Sequence, residues 1–131
     1  MKPYKTMLLA ALAAGALPCG LLVWRVQAAA AGEDAIKDVM KTYHKAPKGV
    51  DPVCKKASEG KATPEELKKL VGAYKTLCDA KPPKGDAASW KEKTSKLLAA
   101  AKDLQKGKAG AIEEYKEAVN CKACHSVHKP D

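Results

Sequence analysis

Between Glu33 and His128, four stretches of the chain carry apolar side chains at intervals of three and four residues, and proline or glycine closes each one. That spacing puts one apolar stripe along a helix, whereas a half-buried strand needs alternation by two. The first stretch runs from about Glu33 to Lys45, with Ile36, Val39, Met40 and Tyr43 on one face, and stops before Pro47 and Gly49. A connection from Ala46 to Ala62 follows, in which Asp51-Pro52 has room to start one helical turn ending near Gly60. Thr63-Pro64-Glu65-Glu66 then reads as an N-cap, a proline at the first helical position and a reciprocal Glu three residues on. Leu67, Leu70, Val71, Tyr74, Leu77 and Cys78 form the stripe behind it, until Lys81-Pro82-Pro83 ends the helix. Asp86 or Ser89 caps a third helix carrying Trp90, Thr94, Leu97, Leu98, Ala101 and Leu104. The fourth, carrying Ile112, Tyr115, Ala118 and Val119, is expected to run unbroken from about Ala111 through Cys121 to His128. Four one-sided helices with short connections predict an all-α chain folded as an antiparallel four-helix bundle.

The side chains available for such a core are few. Phe is absent and aromatics make up 5% of the 131 residues, while 30% are charged. The amino-terminal residues stand apart: Met1-Lys2-Pro3-Tyr4-Lys5 is basic, Met7 to Trp24 is uncharged, and small residues follow at Ala28 to Ala31. Residues 1–31 therefore read as an export signal, cleaved or kept as a membrane anchor, ahead of one domain at 32–131. Losing it removes Lys2, Lys5 and Arg25 and no acid, which takes the formal charge from +9 to +6. The remaining lysines are spread along every segment, as on a solvated helical surface or a basic face for an acidic redox partner. An exported chain of this kind is not expected to bind nucleic acid.

Cys121-Lys122-Ala123-Cys124-His125 is where chemistry is concentrated. Two thiols three residues apart can add to the two vinyl groups of a haem while the next residue gives its imidazole to the iron. On a helix the three positions span a sector of about 100°, so one macrocycle can be attached and ligated from a single face. A thioredoxin-type thiol pair and a zinc site are the alternatives. The first normally belongs to an α/β fold, and the second lacks a fourth ligand. One covalent haem c would also supply the apolar surface that the lean core is missing, so the bundle is expected to enclose it. No serine triad, paired-carboxylate or phosphate-binding motif is present, and the chain is not read as an enzyme.

The cytochrome c prime family is the one this chain resembles, by its carboxyl-terminal Cys121-x-x-Cys124-His125 and by Glu33-Asp34-Ala35-Ile36-Lys37 in the first helix. The likeness spans about residues 33–129. The family's aromatic residue three positions after the histidine is replaced by His128, while its basic residue is matched by Lys129. The resemblance implies His125 as proximal iron ligand and, as in methionine-ligated members, Met40 as the distal one. Ile36 to Met40 is also similar to the first helix of the soluble b-type four-helix cytochrome. His44, four residues on and on nearly the same face, is the alternative ligand. His128, on the same helix as His125, is expected to be peripheral. The function implied is that of a periplasmic mono-haem electron carrier between redox proteins, with the possibility of a homodimer. A vacant sixth site would instead give a high-spin protein that binds nitric oxide or carbon monoxide.

Five cysteines, less Cys19 in the signal and two on haem, leave Cys54 and Cys78. In an oxidising compartment such an even remainder suggests a disulfide, closing a loop of about 25 residues. Two free thiols, with Cys78 simply part of its apolar stripe, are the other outcome.

Overall fold

The computed structural model describes residues 21–130, with side chains from Gly32 onward. It contains α1 (Leu21–Tyr43), α2 (Val53–Ser58), α3 (Pro64–Asp79), α4 (Ala87–Gln105), α5 (Ala111–Ala118) and α6 (Cys121–His128). There is no strand among the described residues, so the protein is all-α. Positions 1–20 of the expected export segment, Cys19 included, lie outside the described residues. Within the described residues the first helix already runs from Leu21, ahead of the Glu33 that its apolar stripe marks. No described helix is long and apolar enough to cross a membrane.

The expected stripes face inward. Ile36 and Val39 of α1, Leu70, Tyr74, Leu77 and Cys78 of α3, and Trp90, Thr94, Ala101 and Leu104 of α4 are all buried. Shared neighbours fix the directions of these helices. Leu77 and Trp90 meet at one end of the α3–α4 pair, and Leu67 and Leu104 line a common cavity at the other, so the two run antiparallel. In the same way Ile112 of α5 lies by Leu104, while Ala118 and Val119 lie beside Trp90 and Thr94. α1 crosses α3 with Gly32 near Lys81 and His44 near Tyr74, again antiparallel.

Where α3, α5 and the end of α1 converge, the hydroxyls of Tyr74 and Tyr115 meet at 2.6 Å. Both rings are fully buried. Burial pushes both phenols well above the usual tyrosine range, which keeps them protonated and able to satisfy each other.

The start of α3 carries the reciprocal cap that Thr63 and Glu66 predict. Thr63 Oγ1 accepts from the Glu66 amide at 3.1 Å, and Glu66 Oε2 accepts from the Thr63 amide at 2.8 Å. Lys56 of α2 adds an ion pair to Glu66 at 2.9 Å. The Thr63 amide, followed by Lys56, holds the Glu66 carboxyl below its ordinary value of 4.5. A carboxyl depressed in the folded state stabilises above its unfolded pKa and stops doing so as the pH falls through the folded one. Thr63→Ala is therefore expected to cost about 1 kcal/mol in denaturant titrations at neutral pH. The cap's contribution in the native protein should fade as the solution is taken below pH 4.5.

The expectation of one unbroken fourth helix is corrected. Val119 and Asn120 leave the helical region, at ψ 40° and 87°, and split it into α5 and α6. Asn120 competes with helical backbone through its side chain, and its Oδ1 accepts from the Ala123 amide at 3.0 Å, capping the new helix. The far end of α6 is also anchored, because His128 is buried, away from the cavity that His125 lines. A carbonyl can only accept, so His128 Nδ1 donates to Lys84 O at 2.9 Å, which leaves Nε2 to accept from the Ser89 hydroxyl at 3.2 Å.

Gly85 makes that anchor possible. Its φ is +82°, and a Cβ there would sit 2.8 Å from the Val127 carbonyl oxygen and 2.9 Å from His128 Nδ1. Gly49, at φ +88°, has open space around the same position. Gly49→Ala should cost only the backbone strain of about 1 kcal/mol. Gly85→Ala should cost clearly more and raise hydrogen exchange across α6, since both the strain and the clash must be relieved there. Equal losses in the two variants would show that the anchor contributes nothing.

Candidate functional site

α6 opens with the cysteine pair. Cys121 is its first residue and is exposed, Cys124 is half-buried one turn later, and His125 is exposed beside it. Burial pushes the Cys124 thiol up, so it stays protonated near neutral pH rather than being held as a thiolate. All three side chains line a single cavity of about 450 Å³. That volume falls in the range of cofactor and ligand sites.

The wall facing α6 is built from the carboxyl-terminal end of α1 and from α3 and α4. Met40 and His44 both line it, together with Leu77 and Trp90. Met40 is partly buried and packs against the core, as its place on the α1 stripe predicts. His44 lies just past the last turn of α1, where its amide donates to the Met40 carbonyl at 3.2 Å. Its ring leans on Tyr74, with centroids 5.7 Å apart. Burial and then the nearby His125 push the His44 pKa from 6.5 down to about 4, so its imidazole is neutral. Its Nε2 is buried without a hydrogen-bond partner. The five residues singled out in the sequence for cofactor attachment and ligation thus converge on one space, although 77 residues separate His44 from Cys121.

The expected disulfide is absent: Cys54 and Cys78 are free thiols. Lys56 pairs with Glu66, and Ala57 shares a cavity with Leu67, so α2 lies along the start of α3. Cys54 is half-buried and its thiol is pushed up, by burial first and then by Cys121, with no influence from Cys78. Among the described residues no group of three or more His, Cys, Asp or Glu is arranged to hold a metal ion.

Two contributors to the site were not assigned to it from the sequence. Trp90 reads there as ordinary core, yet it forms part of the cavity wall, and its Nε1 donates to the carbonyls of Leu77 and Ala80, both at 3.0 Å. Asn120 both lines the cavity and starts the helix that bears the cysteines. An Asn directly before Cys-x-x-Cys is a cap signal that could have revealed the break.

The donor set suits a covalently bound haem. Two thiols and an imidazole are offered from one helix, Leu77, Trp90, Leu97 and Val119 line the same cavity among charged residues, and His44, whose buried Nε2 lacks a partner, belongs to that lining too. Comparison with family models, with curated proteins and with solved structures finds no match to this chain.

Proposed function

We propose that this protein is an exported, mono-haem c-type cytochrome that carries single electrons between redox proteins. The observation that carries the reading is the convergence of Cys121, Cys124 and His125 on a cavity of about 450 Å³ that is also lined by Leu77, Trp90, Leu97 and Val119 and by a further potential iron ligand. Each thiol would add S–H across a vinyl group, forming one carbon–sulfur and one carbon–hydrogen bond with no oxidant needed. His125 would ligate the iron from the cysteine side. The haem supplies reversible one-electron chemistry, and the chain's own residues hold it, exclude water and set the ligand field.

In this reading α1, α3, α4 and the α5–α6 pair are the four walls of a bundle closed around the cofactor. Lys45, Lys93 and Lys96 line the cavity together with Glu117 and with Glu92, which pairs with Lys96, so its charged rim carries a small excess of positive charge where a partner would approach. An acidic face on a donor or acceptor protein would be drawn to it and oriented by it. The basic, then apolar, amino-terminal segment supports export to the periplasm, where covalent attachment of haem takes place.

The test is to purify the mature protein after expression with the haem-attachment machinery. Its mass should exceed that of the polypeptide by one haem under denaturing conditions, and it should absorb in the Soret region. A colourless protein with the mass of its amino acids alone would sink the proposal. A coloured protein whose ferrous form is high-spin and takes up carbon monoxide at once would be a gas-binding protein of the cytochrome c prime type instead of a carrier.

A further inference from the structure

We infer that the sixth iron ligand is His44, which gives the haem two axial imidazoles in place of one imidazole and the Met40 thioether. This deepens the haem reading and rests on it. Both side chains line the same cavity as Cys121, Cys124 and His125, so position alone does not choose between them.

What chooses is the polar accounting. A buried imidazole nitrogen left without a partner costs about 1–3 kcal/mol. His44 Nε2 is the one buried side-chain nitrogen or oxygen among the described residues in that condition. Other buried polar groups nearby are all satisfied: Tyr74 by Tyr115, Thr94 by the Trp90 carbonyl, and His128 by Lys84 and Ser89. These groups are paired, while the one nitrogen left without a partner belongs to a residue that lines the cavity. A metal centre with a vacant axial position is a partner that accepts its lone pair.

Met40 carries no such debt. A thioether sulfur is at most a weak acceptor, and the Met40 side chain is already accounted for by its packing against the core. The His44 ring is also held in place before any cofactor arrives. The last turn of α1 fixes its backbone, and the Tyr74 ring, itself tied to Tyr115, supports one side. Such preorganisation favours a ligand that need not rearrange to bind.

The experiment uses the holoprotein and three variants, His44→Ala, Met40→Leu and the pair together, read by visible and near-infrared absorption and by electron paramagnetic resonance. The wild-type ferric protein should be low-spin, without the weak far-red absorption that marks sulfur on ferric iron. Met40→Leu should keep that spectrum. His44→Ala should turn high-spin, and added free imidazole should restore the low-spin signal, which separates ligand loss from misfolding. The potential of the wild type should lie below that of a His/Met centre. A high-spin wild type, or loss of the low-spin state in Met40→Leu with retention in His44→Ala, would overturn the inference while leaving the haem in place. A wild type without haem would instead remove the reading on which it stands.

Discussion

On the proposed haem reading, replacing both Cys121 and Cys124 by alanine should abolish covalent haem altogether and most of the cooperative folding with it. The cavity that they border is about 450 Å³, large for a chain with this few aromatic residues, and the helices around it have no other material to fill it. Burying a few hundred Å² of porphyrin would contribute on the order of 5–10 kcal/mol. That is comparable with the whole net stability of a small domain. The double variant should therefore be colourless after denaturing extraction and melt broadly at low temperature, with exposed apolar surface. Single variants should be milder, because one thioether would still tether the proposed ring. Cys124→Ala should be the worse of the two, since Cys124 is half-buried and packs against the core while Cys121 is exposed. A double variant that unfolds as sharply and at the same denaturant concentration as the wild type would show that the helices close the space unaided.

Much of this arrangement was legible in the chain because it depends on local signals. Helix positions and inward faces follow from spacing, and the Thr63–Glu66 cap follows from four consecutive residues. The cysteine pair and His125 fall on one face because 3.6 residues make a turn. The features that were not legible depend on what comes together in space. Trp90 looks like any buried aromatic until the end of α3 is laid beside it. His128 looks like a spare histidine near the chain end until Gly85 brings the Lys84 carbonyl within 2.9 Å. The Cys54–Cys78 bridge was argued from counting thiols, and counting says nothing about where along α3 the short helix α2 lies. Choosing between Met40 and His44 needed to know which of them had an unmet polar group, a property of the packed molecule and not of the helix that carries them.

The division of α5 from α6 shows how a small local preference shapes the site. Had the fourth helix continued through Asn120, the cysteines would lie on the same rod as Tyr115, with their direction fixed by its register. The break lets α6 be aimed separately, with Asn120 capping its start and His128 pinning its end. Both fixtures lie outside the Cys-x-x-Cys-His motif. The motif's orientation toward the cavity is therefore set by residues on either side of it.

Trp90→Ala should be the most damaging single substitution in the core, costing about 3–5 kcal/mol by denaturant titration of the holoprotein. Three roles meet in this side chain. It is 4% exposed and packs between α3 and α4, so truncation opens a hole. Its Nε1 supplies a donor to the Leu77 and Ala80 carbonyls at the end of α3, where helical backbone has run out of its own partners. Its ring also meets His128 edge-on at 5.3 Å, which couples the cavity wall to the anchor of α6. Trp90→Phe separates these roles, because it keeps most of the apolar bulk and removes the donor. It should cost about 1–3 kcal/mol, the penalty for a buried polar group left unpaired. If the phenylalanine variant were as stable as the wild type, the carbonyls at the end of α3 would have found water, and the tryptophan would be acting through its bulk alone.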